Sequence, residues 1–280
     1  MSTATDRIRP LTRWVAICVV PFLWLAFLIL TFLPDATGER FAWAIRPHMT
    51  SFYLGAGYLG GSWLFINTFF GKRWHRVQAG FPAITLFTVA MLLATFLHWD
   101  RFSHGTLGFN LWLILYAITP FLVPALWLYN RGEDTGQPEQ DDQRVPGWVR
   151  FTMRAAGVLT LLFAVAGFIL PQVAINAWPW TLTPLTARVM CGWAGLLGIG
   201  SLVIAAEKRW SAWRIPLESI LIWHVLVLVA AVRSASDFQT GLLNWYTVAA
   251  LGVVGVCLFL ILSMERRRLY AKAGSTPAGT

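Results

Sequence analysis

The sequence predicts an all-α protein, a polytopic transmembrane bundle of about eight helices, from three observations. Of the 280 residues, 57% are hydrophobic and only 12% are charged, whereas a soluble domain carries about 25% charged residues. The apolar residues fall into runs of about 20, the length that crosses roughly 30 Å of hydrocarbon. The 16 Trp residues are typical of a chain with two membrane interfaces, where aromatic rings concentrate.

Eight segments have the length and apolar character of a spanning helix. The first, residues 14–33, follows three arginines but is longer than the apolar core of a signal peptide, so we predict a retained helix. The other helices are predicted at 50–70, 81–99, 107–129, 155–174, 187–206, 215–232 and 243–264.

The polar stretches between these segments divide the chain into four parts. Residues 1–130 form the first four-helix transmembrane repeat, and residues 131–150 form an acidic cytoplasmic linker without apolar periodicity. Residues 151–268 form the second four-helix repeat, and residues 269–280 are predicted to be a disordered cytoplasmic tail.

The basic residues predict the orientation, because cytoplasmic segments of membrane proteins are enriched in Lys and Arg. With both termini inside, all but five of the 22 Lys and Arg residues lie in cytoplasmic segments. The excess of Arg over Lys suggests a bacterial source, so we predict a multi-pass protein of the bacterial inner (cytoplasmic) membrane, with N-in/C-in topology. The net charge of +9 then reflects contact with the lipid bilayer, and no nucleic-acid partner is predicted.

The two halves repeat the same residues at nearly constant spacing. The loop residues that recur 137 positions later are Pro34, Trp43 and Pro47, which return as Pro171, Trp180 and Pro184. The tripeptide that starts at Lys72 recurs 136 positions later at Lys208. Apolar composition does not explain matching Pro and Trp residues in loops, so we predict a tandem duplication. Because each half has four helices, the repeats are parallel and related by an axis along the membrane normal.

Glycines mark the second and sixth predicted helices as the contact helices of the two halves. Gly57 and Gly61 lie on the second helix, and Gly195 and Gly198 lie on the sixth. Small residues allow helix backbones to approach closely in a membrane, so we assign these four glycines to helix packing. A binding site is then expected between the halves.

Histidines on the predicted outer side are candidates for a metal site. His98, Asp100 and His104 lie in the turn between the third and fourth helices, and His48 begins the second helix. Imidazole and carboxylate groups together are typical ligands of Zn²⁺ and similar metals. The alternative is a turn of polar residues that only face water. No cofactor is predicted apart from this metal.

Two ionisable residues of the seventh helix, Glu218 and His224, are candidates for coupling or substrate contact. Ionisable groups within a membrane are costly and therefore often functional. Six residues separate the two, so they lie on different faces of the helix. The alternative for His224 is a neutral ring with one hydrogen bond inside the bundle.

These features favour a small-solute or ion transporter or permease. The first alternative is a structural or accessory subunit that binds other membrane subunits or a second copy of the chain. The second alternative is a membrane-embedded, metal-dependent enzyme built on the outer histidines. The sequence leans away from an enzyme, since it contains no known nucleotide-binding or hydrolase motif.

Overall fold

The computed structural model describes residues 4–274 and is helical through most of that range. Within it, eight helices have 18 residues or more, and no β-strand occurs. These helices are α1 (Pro10–Phe32), α2 (His48–Phe70), α3 (Gly80–Leu97), α4 (Leu107–Asn130), α5 (Gly147–Ile169), α6 (Pro184–Ala206), α7 (Trp210–Arg233) and α8 (Trp245–Gly274). The prediction of an all-helical fold is confirmed for the described residues.

Seven of the eight described helices, all except α2, are long and apolar enough to cross a membrane. Helix α2 is less apolar because it carries four glycines and several hydroxyl side chains. It is also heavily enclosed, with 14 of its 23 residues buried. Neighbouring helices therefore separate most of α2 from the surroundings, and its own surface does not need to be strongly apolar.

Three predicted boundaries require correction. Helix α5 begins at Gly147 instead of residue 155, so the linker ends at Pro146. The reason is Arg150, which was assigned to the linker but lies on the helix and donates to the carbonyl oxygens of Ala205 (3.0 Å) and Ala206 (3.2 Å) at the end of α6. Helix α8 continues to Gly274, so residues 269–274 of the predicted disordered tail are helical. Residues 275–280 lie outside the described part of the chain.

The helices pack in two matching sets. In the N-terminal half α1 packs on α2 and α3 on α4, and in the C-terminal half α5 packs on α6 and α7 on α8. Between the halves, α2 packs on α7 and α3 packs on α6. Helices α2, α3, α6 and α7 are thus the inner helices. Both ends of the described chain lie at one end of the bundle, named here the terminal end, and the opposite end is the distal end.

Each half has a cluster of four aromatic rings at the distal end, named here an aromatic box. The first box consists of Phe41, Trp43, Phe102 and Trp112, and the second consists of Trp178, Trp180, Phe238 and Tyr246. The ring centroid of Trp43 lies 5.0–5.4 Å from the three other rings of its box. The corresponding distances from Trp180 are 5.3–5.6 Å. These mostly tilted and edge-to-face contacts are the favourable geometry for aromatic pairs.

The central tryptophans of the two boxes differ in their hydrogen bonding. The indole N–H of Trp180 donates to the hydroxyl of Thr50, 2.9 Å away in the other half. The position 137 residues after Thr50 holds Ala187, which has no hydroxyl group. Among the described residues, the buried N–H of Trp43 has no hydrogen-bond partner. One indole is therefore paired across the halves and its counterpart is not.

We expect Thr50→Val to lower the free energy of unfolding by about 1–3 kcal/mol, because it leaves the fully buried N–H of Trp180 without an acceptor. The measurement is an unfolding titration of the purified protein in mixed micelles. Thr50→Ser keeps a hydroxyl group and is the matched control. Equal losses for the two variants would contradict the assigned role of this hydrogen bond.

Candidate functional site

The histidines at the distal end are held by neighbouring charged side chains. The Nε2 atom of His48 lies 3.0 Å from a carboxylate oxygen of Asp35 and 2.6 Å from a guanidinium nitrogen of Arg46. Arg188 donates to the Nε2 atom of His98 over 2.6 Å. Burial and the charge of Arg188 lower the pKa of His98. Each Nε2 atom is therefore engaged by a neighbour of its own.

The predicted metal ligands are consequently not brought together. The ring of His104 packs on Trp99 at 4.9 Å, and Asp100 lies 3.4 Å from Arg101 on the surface. Among residues 4–274, no group of three or more His, Cys, Asp or Glu side chains could hold a metal ion. The set of His48, His98, Asp100 and His104 is thus spread over separate local contacts.

Glu218 and His224 make separate contacts. Glu218 accepts hydrogen bonds from the indole N–H of Trp63 and the guanidinium of Arg214, both over 2.8 Å. His224 is buried, and its Nδ1 atom donates to the carbonyl oxygen of Ile220, 2.9 Å away on the same helix. His224 therefore makes one hydrogen bond inside its own helix, as the structural alternative to a functional role predicted. Glu218 instead lines a cavity at the terminal end.

Three of the four predicted packing glycines lie at helix contacts. A β-carbon at Gly57 would come within 2.8 Å of the Trp193 ring, across the interface between the halves. The same atom at Gly195 or Gly198 would come within 3.1 Å or 2.9 Å of a leucine side chain. For Gly61 the prediction requires correction, because no atom of the described residues comes within 4 Å of a β-carbon placed there. Gly61 borders open space instead.

The interface between the halves is occupied by aromatic rings, where a binding site was expected. Trp193 on α6 contacts Phe87 at 4.3 Å, Trp223 at 4.9 Å and Tyr58 at 5.3 Å between centroids. These partners lie on α3, α7 and α2, so one indole touches all the other inner helices. The centre of the bundle is therefore packed and apolar.

A large open space lies in the N-terminal half, along α1 and α4. Two adjoining cavities of about 600 and 80 Å³ share Leu23, Tyr58, Leu115 and Tyr116 in their walls. We name them together the α1–α4 groove. The larger cavity ends at Glu39 and Arg40 near the distal end, and the smaller one reaches Thr12 near the terminal end. Gly61 lines the smaller cavity, which explains the open space beside it.

A polar pair interrupts the apolar wall of this groove. The hydroxyl oxygens of Tyr58 and Tyr116 lie 3.0 Å apart at the junction of the two cavities, and both side chains are buried. One hydroxyl donates to the other, and each phenol carries one O–H group. The pair therefore retains one O–H donor beyond the bond that the two residues share.

A polar chain at the terminal end joins the two halves, and its residues were not among the candidates predicted from the sequence. The Nδ1 atom of His75 donates to a carboxylate oxygen of Asp6 over 2.6 Å. The Nε2 atom of His75 lies 2.8 Å from the hydroxyl oxygen of Ser211. Ser211 in turn donates to a carboxylate oxygen of Asp142 over 2.5 Å. His75 has no exposed surface, and Asp6 and Ser211 are also buried.

The two ends of this polar chain are built alike. Asp6 accepts a hydrogen bond from the backbone N–H of His75 (3.1 Å), and Asp142 accepts one from the backbone N–H of Ser211 (2.9 Å). Asp6 and Asp142 are 136 positions apart, and so are His75 and Ser211. His75 and Ser211 directly follow the matching Lys-Arg-Trp tripeptides. This equal spacing was the one sequence feature that could have predicted the polar chain. It was not recognised because His75 and Ser211 are different residue types.

The carboxylates around His75 determine its charge. Burial by itself lowers the pKa of His75, but hydrogen bonds to Asp6 and to Glu139, 3.4 Å away, raise the pKa overall. Burial likewise opposes ionisation of Asp6, and the bonds from His75 lower the pKa of Asp6 overall. The Ser211 hydroxyl donates to Asp142, so its proton is not directed at the Nε2 atom of His75.

The acidic linker, although it lacks apolar periodicity, is folded against the terminal end. Asp134 accepts two hydrogen bonds of 2.8 Å from Arg209, and Glu139 accepts bonds of 2.6 and 2.5 Å from Arg76. Although burial opposes ionisation, these bonds hold the pKa of both carboxyls well below the ordinary values. The acids are ordered because they neutralise arginines that would otherwise repel one another.

No protein-family model, curated protein or solved structure matches this chain. Its function is therefore inferred from the side chains described above.

We expect the polar chain to give the protein a stability that depends on pH. The folded-state pKa of His75 lies above its ordinary 6.5, so its contribution is complete below that pH and is lost as the pH rises through the folded-state pKa. The pKa of Asp6 lies below its ordinary 3.8, so its contribution is lost only as the pH falls through that lower value. Raising the pH above about 6.5 should therefore lower the melting temperature of the purified protein.

The variant His75→Gln should lack this alkaline decline and should differ most from the wild type below about pH 6.5. His104→Gln, a change at an exposed histidine of the distal end, is the control and should keep the wild-type profile. A His75→Gln profile parallel to that of the wild type over this range would refute the assignment.

Proposed function

We propose that this integral membrane protein binds the apolar chain of an amphiphilic molecule in the α1–α4 groove. The observation that carries the proposal is the groove itself. Its larger cavity has a volume of about 600 Å³, within the range of about 300–1,000 Å³ typical of small-molecule sites. Its wall is formed almost entirely by apolar side chains, and its distal end carries Glu39 and Arg40.

The position of the groove supports a ligand of the lipid class. It opens between two outer helices, and the α1 side chains beside it, Phe22, Leu25 and Leu28, are exposed on the protein surface. An apolar chain can therefore enter sideways from the bilayer. The charged pair at the distal end is placed to contact a polar head group, and the spare O–H of the tyrosine pair is placed to donate to an acceptor on the ligand.

The same observations change the support for the other functions predicted from the sequence. A hydrophilic solute or ion crossing between the halves would have to displace the rings around Trp193, which argues against a central path. Transport remains part of the proposal only for an amphiphilic cargo. An accessory subunit would use the groove for a helix of another membrane protein. The enzyme alternative loses support because the distal histidines bind neighbouring charged groups.

We further propose that α2 is the eighth membrane span and that the chain is a tandem duplication. The 23 residues of α2 rise about 35 Å at 1.5 Å per residue, enough to cross the hydrocarbon. Exchanging α1–α4 with α5–α8 maps the principal helix contacts onto one another, and the aromatic boxes correspond ring by ring. These features support two parallel four-helix halves joined by residues 131–146.

The basic residues at the terminal end support an orientation with both termini in the cytoplasm of a bacterial cell. In a cysteine-free background, Gln137→Cys at the terminal end should react with an impermeant maleimide only after the membrane is opened. Gln239→Cys at the distal end should react in intact spheroplasts. Both native side chains are exposed, and the reverse pattern would exclude the proposed orientation.

Filling the groove should abolish retention of the ligand. Ala26 lines the larger cavity, and Ala26→Phe adds a ring there. Ala249 is exposed on α8, so Ala249→Phe is a control of identical chemistry. Native mass spectrometry after detergent exchange should detect one bound lipid-class molecule on the wild type and on Ala249→Phe. For Ala26→Phe, the occupancy of the groove should be lower by at least about tenfold.

Two outcomes would count against the proposed function. Equal occupancy of the wild type and Ala26→Phe would show that the lipid is retained elsewhere. If the wild type and Ala249→Phe release a bound polypeptide instead of a lipid, and Ala26→Phe does not retain that polypeptide, the groove is the docking site of another subunit.

A further inference from the structure

The terminal end contains a second open region, which is polar. Two adjoining cavities of about 320 and 250 Å³ share Asn67, Arg76 and Ile215 in their walls. We name them together the basic cavity. The charged residues that line it are Lys72, Arg73, Arg76, Arg214, Arg268 and Glu218. Five cations therefore surround one carboxylate in a half-enclosed space.

The arginines of the basic cavity come from three separate parts of the chain. Arg76 lies in the short turn before α3, Arg214 lies near the start of α7, and Arg268 lies near the end of α8. Residues so distant in sequence meet here because α7 packs against both that turn and α8. The convergence is thus a product of the fold and not of a local cluster of basic residues.

In addition to Glu218 in the cavity wall, two carboxylates outside the wall, Glu139 and Glu265, hold these arginines. Glu139 binds Arg76 through two hydrogen bonds and lies 3.4 Å from Arg268. Glu265 lies 3.5 Å from Arg214. A guanidinium has five N–H donors in a planar fork, so each of these arginines keeps donors beyond those used by the carboxylates. Fixed forks with unused donors are suited to a multiply charged oxyanion.

We propose that the basic cavity binds a phosphate group. Three guanidinium groups from different directions suit the tetrahedral arrangement of phosphate oxygens, and the ammonium group of Lys72 adds a further charge. The cavity lies at one end of the bundle, where lipid phosphates and dissolved phosphate compounds can both reach it. The ligand is thus a phosphate carried either by a lipid head group or by a soluble molecule.

Glu218 has a definite role in this site. Its carboxylate is bound by Trp63 and Arg214 and opposes the charge of an incoming anion. Removing that charge, as in Glu218→Gln, should strengthen phosphate binding. Removing a cation, as in Arg214→Gln or Arg268→Gln, should weaken it by about tenfold or more, because charge-assisted hydrogen bonds to phosphate are lost. General damage to the fold would weaken phosphate binding in every variant. Stronger binding by Glu218→Gln together with weaker binding by Arg214→Gln therefore indicates a direct effect on the ligand.

The test is calorimetric titration of the full-length protein in a non-ionic detergent at low ionic strength. The probes are inorganic phosphate and the short-chain lipid dihexanoyl-phosphatidylglycerol. Arg154→Gln removes an exposed arginine of α5 that does not line the cavity, and it is the matched control for charge. Each variant is first compared with the wild type by size-exclusion chromatography and melting temperature.

Saturable binding of inorganic phosphate would identify a site for soluble phosphate compounds, whereas binding of the lipid alone would identify a head-group site. Either result supports the proposal if Arg214→Gln and Arg268→Gln bind more weakly and Arg154→Gln does not. The proposal is overturned if neither probe binds the wild type, or if Arg154→Gln weakens binding as much as the cavity variants. Ala26→Phe should leave phosphate binding unchanged, so this test and that of the groove are independent.

Discussion

The packing of the Trp193 ring of α6 against Gly57 of α2 is the contact on which the closed centre of the bundle depends. A β-carbon at position 57 would come within 2.8 Å of the indole, so a larger residue there would force the ring to move. The indole then reaches the rings of α3 and α7 and closes the centre of the molecule. Because the centre is closed, open space is left between the outer helices and at the terminal end, and both proposed sites lie there.

The matching architecture of the halves makes their differences informative. Both halves carry an aromatic box at the distal end and an aspartate that binds the residue after a Lys-Arg-Trp tripeptide at the terminal end. Within this frame, the indole of Trp180 has an acceptor and that of Trp43 does not. Likewise, histidine and serine occupy the two equivalent positions of the polar chain, where one residue serves as the donor to the other.

The sequence was sufficient for the helices, because a run of about 20 apolar residues has few alternatives to a membrane span. It misplaced the start of α5 because Arg150 resembles a loop residue until its acceptors at the end of α6 are known. Glu218 was recognised by its position in an apolar segment, whereas His75 was overlooked because a histidine among basic residues resembles a solvated loop. The α1–α4 groove had no sequence signal, since residues that line an apolar groove and residues that face lipid have the same composition. His48 and His98 lie at the distal end, where sequence spacing could not reveal the arginines that contact them.

The contacts between the halves map onto one another when the halves are exchanged, and this symmetry has an evolutionary consequence. An interface that maps onto itself is the property of an isologous dimer, so a single four-helix half would present a surface complementary to a second copy of itself. In a dimer of identical subunits, every substitution occurs twice and every groove has a twin. In the tandem duplication proposed above, fusion through residues 131–146 removes that restriction, because each half can then mutate alone. A histidine that faces a serine at equivalent positions is a feature that such a fused chain can acquire and a dimer of identical subunits cannot.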